Sequence, residues 1–201
     1  MAMDARIDLL AQQAARLVHA GKVESVDEAI HHAIEDTGWV EVPRPSRSLV
    51  RRHVQGLTMQ AIGAAKYQMR IVDVWEVAVR VMAVLDDCDP HLLGRAACGH
   101  IDGGVTLYLR VCTSRRIGAL AQRLVEAGFE EPRFSTADSR RFGRFDRIDF
   151  KEDGFPIVIT RCGSHHRQLA EVDLFTGRPI ESIGLDALRR QIETSQGEWG
   201  L

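Results

Sequence analysis

Apolar positions in this chain fall into two kinds of spacing, and they divide it. From Arg6 to Ala20, Ile7, Leu10, Ala11, Ala14, Leu17 and Val18 recur at helical intervals, and Gly21 then supplies a stop. Ser25 with Glu28 three residues on forms a capping-box pattern, predicting a helix to about Asp36 that buries Ala29, Ile30 and Ile34. Val40–Arg47 (VEVPRPSR) is a hinge, since Pro43 and Pro45 oppose helix on either side. Ser46 or Ser48 opens a long helix to about Met69, expected to bury Val50, Val54, Leu57, Ala61, Ala65 and Met69. The run Ile71–Leu85 is valine-rich and partly alternating, yet it is too long for an ordinary strand. Ile71, Val74, Trp75, Ala78, Val81, Met82 and Leu85 form a helical face, so it reads as helix, ended by Asp86–Pro90.

Beyond Pro90 the spacing shortens. Strands are expected near Leu92–Cys98 and Val105–Cys112, then a helix Arg115–Ala127 closed by Gly128, and a short strand near Pro132–Ser135. Asp146–Lys151 and Phe155–Arg161 flank Asp153-Gly154, a strong hairpin signal. Thr176–Pro179 is a turn, and Leu185–Glu193 a closing helix. The expected class is α+β, with mixed α/β order: a helical region 1–70 followed by a domain 71–201 that holds a mixed sheet with packed helices.

Composition adds bounds. The 201 residues are 45% hydrophobic and 27% charged, which suits a folded core. A net charge of −2 gives no global pull towards nucleic acid or membrane, so nucleic acid stays open only through local charge. Met1–Pro45 carries eight acids against four bases, whereas Ser46–Arg70 carries five bases and no acid, and Arg140–Arg147 holds four arginines. Such basic segments suit an anion or a solvated face. No apolar run is long enough for a membrane span and MAMDARIDLL does not resemble a signal peptide, so a soluble, cytoplasmic protein is expected. Cys88, Cys98, Cys112 and Cys162 make no C-x-x-C pair and read as small buried thiols.

The candidate chemistry centres on DPHLLGRAACGHIDGGVTLYLRV. A strand feeding Gly99, with another strand soon after, is a common way to bring backbone N–H groups to a phosphate. With RIDLLAQQAARLV, DGFPIVI and the tail TGRPI, this stretch resembles the nucleotidyltransferase fold of the polymerase-beta type, and in particular bacterial proteins that join a helical N-terminal region to a nucleotidyltransferase-like domain. The resemblance implies a Gly-Ser for the nucleotide phosphates, an Asp-x-Asp on the second strand and a later carboxylate, together holding two Mg²⁺. Here the glycine is Gly99 and the serine position is His100, the Asp-x-Asp positions fall on Thr106 and Tyr108, and the later carboxylate falls near Val158. Asp102, Asp146 and Asp149 are the nearest acids, and Asp146 and Asp149 should point to opposite faces of a strand.

The expectation is therefore a degenerate member of that fold. It would bind a nucleotide or other anion, or act as a regulatory module, through Gly99, His100, Gly103, Gly104, Thr106, Tyr108, Arg110 and Arg141, with no catalytic and no metal-ligating residue and no cofactor. One alternative is an active nucleotidyltransferase with an atypical site, which would need Mg²⁺. In that setting Cys98 with His100, or Cys162 with His165 and His166, are the groups that could carry altered chemistry. Another alternative is a protein-interaction module or homodimer using the charged helices, with Trp39 and Trp199 as anchors.

Overall fold

Capping and glycine placement set the helices of the first unit, Met1–Tyr67. The structure, a computed structural model, describes residues 3–101 and 105–199, the side chains of 165–167 and 198–199 excepted. Helix α1 is Met3–His19 and α2 is Val26–Thr37. The capping box forms one residue wider than its simplest version. Glu28 N–H donates to Ser25 Oγ (3.1 Å), and the Glu28 carboxylate accepts from Glu24 N–H (2.8 Å). Gly38, in the left-handed region at φ 68°, closes α2. Ser46 caps α3 (Arg47–Ile62) by accepting from Leu49 N–H. These helices bury Leu10, Ala11, Ala14, Ala15, Ala29, Ile30, Ala33, Val50 and Val54, with Val42 from the proline hinge. Alanine at half of those positions lets the backbones approach closely.

One helix boundary moves. The helix expected to reach Met69 ends at Ile62, because Gly63 adopts φ 83°, which no helical residue can share. Nothing in Met69–Ile71 breaks a helix, so α4 runs unbroken over Ala64–Val84. The expected helical face from Ile71 to Leu85 is buried at each of its seven positions.

The second unit comprises Gln68–His100 and Val105–Leu201. Its sheet is mixed and six-stranded, in the order β3-β4-β5-β2-β1-β6. The strands are β1 His91–Leu93, β2 Leu107–Cys112, β3 Arg133–Ser139, β4 Gly143–Glu152, β5 Phe155–Cys162 and β6 Ser182–Gly184. Only β2 and β5 run parallel. Asp153 and Gly154, both at positive φ, make the two-residue turn of the β4–β5 hairpin.

Two expectations are corrected. The first strand stops at Leu93, because Gly94 turns to φ 66° and the small residues Gly94–Ala97 form a single helical turn, α5. The strand expected at Pro132–Ser135 extends to Ser139, and β6 was not expected at all. Helices α6 (Ile117–Glu126) and α7 (Leu185–Trp199) complete the α+β fold. Among the described residues no helix is long and apolar enough to cross a membrane.

The alternation of β2 assigns the two sheet faces. Leu107, Leu109 and Val111 share one face with Ile148, Phe150, Ile157 and Ile159, and Phe129, just after α6, meets Phe150 edge-on at 5.9 Å. On the other face Cys112, Cys162 and Phe145 lie under Leu169, Ala170 and Leu174. That cover comes from a 3-10 segment, Ser164–Glu171, and the turn after it. It leaves the Tyr108 end of this face open.

Asp87, between α4 and β1, ties into α6: Arg123 donates to one carboxylate oxygen (2.5 Å) and Arg115 to the other (2.6 Å). The hydrogen bond from Arg123, then that from Arg115, holds the Asp87 carboxyl down at about 2. An unfolded aspartate titrates near ~3.9, so this contribution is complete above about pH 4 and is lost as pH falls towards 2. Asp87→Asn should therefore lower stability at pH 5 to 7, with the gap to wild type closing between about pH 4 and 2. Urea unfolding across that range is the measurement, and the effect is small because the carboxylate is 44% exposed.

Candidate functional site

The turn after β1 is self-contained. Gly99 N–H donates to Ala96 O (3.1 Å) and His100 N–H to Arg95 O (2.9 Å), while Cys98 N–H is shared between Gly94 O and Arg95 O. The N–H groups of Gly99 and His100, expected to face an anion, are thus spent inside the turn, as is that of Cys98. Gly99 is needed for a different reason. It sits at φ 69°, and a Cβ there would stand 3.2 Å from the Trp75 ring and 3.3 Å from Ile71. Trp75 also donates from Nε1 to Ala96 O at 2.8 Å, clamping the turn to α4. His100 and Cys98 are exposed, and no strand aligns them. Asp102, Gly103 and Gly104 lie outside the described residues.

Arg110 shares the Tyr108 face, as unbroken β2–β5 register requires, but its guanidinium is turned away from the open end. It is 5% exposed and donates from Nη1 to Leu169 O and to Val172 O (2.6 Å). Burial pushes its pKa down. Arg110 is thus a strut between β2 and the covering segment. Arg141 is engaged separately, over the Phe142 ring at 5.3 Å and against Gly177, where φ 70° and the lack of a Cβ admit its guanidinium.

The remaining candidates converge. Cross-strand register runs Leu93, Tyr108, Val158, Asp149, Arg133 over five neighbouring strands. Above that row opens a groove of about 610 Å³, whose walls include Thr106, Tyr108, Val158, Asp149, Arg133 and Lys151. Glu130 and Glu131 also line it, and Pro156, the register partner of Lys151, adds an apolar patch. Tyr108 is 48% exposed, unusual for a ring in a central strand. Asp149 accepts from Ser135 Oγ, while Asp146 lies on the opposite face with Arg161 at 3.3 Å, so the two aspartates divide as alternation predicts.

Thr106, Tyr108 and Val158 therefore meet in one groove. Arg133, Lys151, Glu130 and Glu131 were not singled out from the sequence. Alternation in FDRIDFK could have placed Lys151 beside Asp149, whereas Arg133 needs the β3–β4 register.

The groove's donors do not fit a two-metal centre. Of the strand positions that would hold carboxylates, two carry hydroxyls and one carries valine, and hydroxyls are weak ligands for Mg²⁺. Among the described residues, no three His, Cys, Asp or Glu side chains stand close enough to hold a metal ion.

Of the cysteines, Cys88, Cys112 and Cys162 are buried, whereas Cys98, expected to be buried, is exposed because the α5 turn carries it outward. Cys112 and Cys162 are register neighbours on β2 and β5. A hydrogen bond with Cys112, then burial, pushes the Cys162 thiol far up, which removes its value as a nucleophile at neutral pH. The side chains of His165 and His166 lie outside the described residues.

Comparison with known protein families, with curated proteins and with solved structures finds no match. The molecule is an α+β protein with a half-covered mixed sheet, and its nucleotidyltransferase resemblance rests on the sequence features alone.

Proposed function

We propose that this protein binds a nucleotide-class ligand in the groove over Tyr108 and works as a binding or regulatory module without two-metal catalysis. The observation that carries the reading is the half-exposed Tyr108 ring on the floor of a groove of ligand-binding size, with Arg133 and Lys151 on its walls. An aromatic face accepts any base by stacking, and a guanidinium suits phosphate oxygens. Asp149, Glu130 and Glu131 can accept from exocyclic amino groups of a base. The groove also spans Thr106, Tyr108 and Val158, the positions to which the resemblance assigns the metal-binding carboxylates. Arg133 and Lys151 take over the charge that the Gly99 turn, with its donors spent, does not supply.

Titration of the four ribonucleoside triphosphates at low salt, with and without Mg²⁺, tests this. Tyr108→Ala should weaken binding by about 1–3 kcal/mol, the usual worth of a base–aromatic stack, and Arg133→Ala by a similar amount. Both side chains are at the surface of the groove, so melting temperatures without ligand should stay near wild type. Absence of binding by wild type, or wild-type affinity in both variants, sinks the reading. Metal-dependent nucleotide transfer lost with Thr106→Ala would favour the active-enzyme alternative instead.

A further inference from the structure

A second polar cavity, of about 320 Å³, lies in the first unit between α1 and α3. Helix α1 contributes Gln12 and Arg16, four residues apart on one face. Helix α3 contributes Arg52, Gly56 and Gln60, again at intervals of four, with His53 beside them. We propose that this cavity is a binding site for the phosphoryl group of a small phosphorylated metabolite.

Charge is the first support. Arg16 and Arg52 are exposed, come from different helices, and have no ion pair among the described residues. The neighbouring acid is already engaged. Asp8 takes His53 Nε2 on one oxygen at 2.8 Å and Gln12 Nε2 on the other at 2.7 Å. These bonds hold the Asp8 carboxyl below the usual range, His53 first, and fix both donors against the wall. The cavity thus presents two guanidinium groups that make no ion pair among the described residues. Asp8 feels the charge of Arg52 but spends its hydrogen bonds on His53 and Gln12, and α3 itself carries no acid over its whole length.

Gly56 is an independent support. Glycine is the poorest helix former after proline, and packing does not demand it here, since a Cβ at this position would meet nothing within 4 Å. Its effect is a notch in the cavity lining where a ligand can reach the helix backbone.

The ligand class follows from donor geometry. Two planar forks on one cavity lining, carried by different helices, suit a phosphoryl group, whose three terminal oxygens can accept from both, better than a two-oxygen carboxylate. A small molecule is favoured over a nucleic-acid strand because the charge is local. Arg47, at the start of α3, is already tied to Asp27, so the helix does not present a continuous basic stripe.

Calorimetry on the full chain at low salt, with inorganic phosphate, pyrophosphate and a sugar phosphate beside its unphosphorylated sugar, is the test. Wild type should bind the phosphorylated probes and ignore the free sugar. Arg16→Ala and Arg52→Ala should each weaken binding at least tenfold, and Gly56→Leu, which fills the notch, should do the same. Gly56→Ala should melt at or above the wild-type temperature, showing that the helix tolerates the position. Three results would overturn the proposal: no wild-type binding at 10-millimolar-scale probe, binding undiminished in the Arg16→Ala/Arg52→Ala double variant, or tighter binding of a single-stranded oligonucleotide with a steep salt dependence. Loss on Arg133→Ala but not on Arg52→Ala would assign the phosphate to the sheet groove, so the two sites fail separately.

Discussion

Replacing Trp75 by alanine should destabilise the second unit by about 3–5 kcal/mol, the range for deleting a large buried aromatic side chain. The ring is 3% exposed and would stand 3.2 Å from a Cβ on Gly99, and its Nε1 donates to the carbonyl of Ala96. Trp75→Phe separates these parts. It keeps most of the apolar bulk while leaving Ala96 O without that donor, for about 1–3 kcal/mol. Gly99→Ala reaches the same joint from the other side, combining left-handed backbone strain of roughly 1–2 kcal/mol with crowding against Trp75 and Ile71. The crowding should ease once the ring is gone. Trp75→Ala/Gly99→Ala should therefore be less damaging than the two single changes added together. Urea denaturation of the four proteins measures all of this, and a neutral Gly99→Ala would show that the turn is not clamped as described. The double variant also separates two meanings of this glycine, since a glycine kept only for an incoming phosphate would show the left-handed strain but not the crowding that Trp75→Ala relieves.

That ambiguity marks where the sequence stops being legible. Local signals are legible: Ser25 with Glu28, the seven-position face from Ile71 to Leu85, and Asp153-Gly154 all depend on residues within a few positions of each other. HLLGRAACG was harder. Its apolar character suits a strand, but Gly94 leaves the strand region and His91–Leu93 pair with Ser182–Gly184, about ninety residues away. Gly63 and Gly56 are both glycines inside an apolar helical pattern, yet one breaks the helix and the other is carried through it. Propensity alone does not separate them.

The site was legible to the extent that strand alternation reaches. Alternation put Thr106 and Tyr108 together and sent Asp146 and Asp149 to opposite faces. It could not say that Arg110, on the same face as Tyr108, would be captured by two carbonyls from residues about sixty positions on. Nor could it bring Arg133 into the groove, because that depends on which strand pairs with β4.

Arg110 leads to the second large effect. Arg110→Leu should cost about 2–4 kcal/mol. Two carbonyls, Leu169 O and Val172 O, lose a charged donor in a buried setting, and each such loss is worth about 1–3 kcal/mol. Part of that loss is offset, because a buried cation carries a desolvation cost, visible in the lowered Arg110 pKa, and leucine does not. The damage should be local before it is global. The strut holds the segment that covers Cys112 and Cys162, so releasing it should let that cover open without unfolding the sheet. Thiol labelling under native conditions reads this directly. With Cys98 changed to serine to remove the exposed thiol, wild type should label slowly, and Arg110→Leu should label Cys112 and Cys162 at least tenfold faster. Hydrogen exchange should quicken over 164–175 while β4 and β5 stay protected. Arg110→Lys should fall between, since an ammonium keeps a charged donor but is more strongly hydrated than a guanidinium and costs more to bury. Labelling of Arg110→Leu at the wild-type rate, with an unchanged denaturation midpoint, would mean that Leu169, Ala170 and Leu174 hold the cover by apolar contact alone.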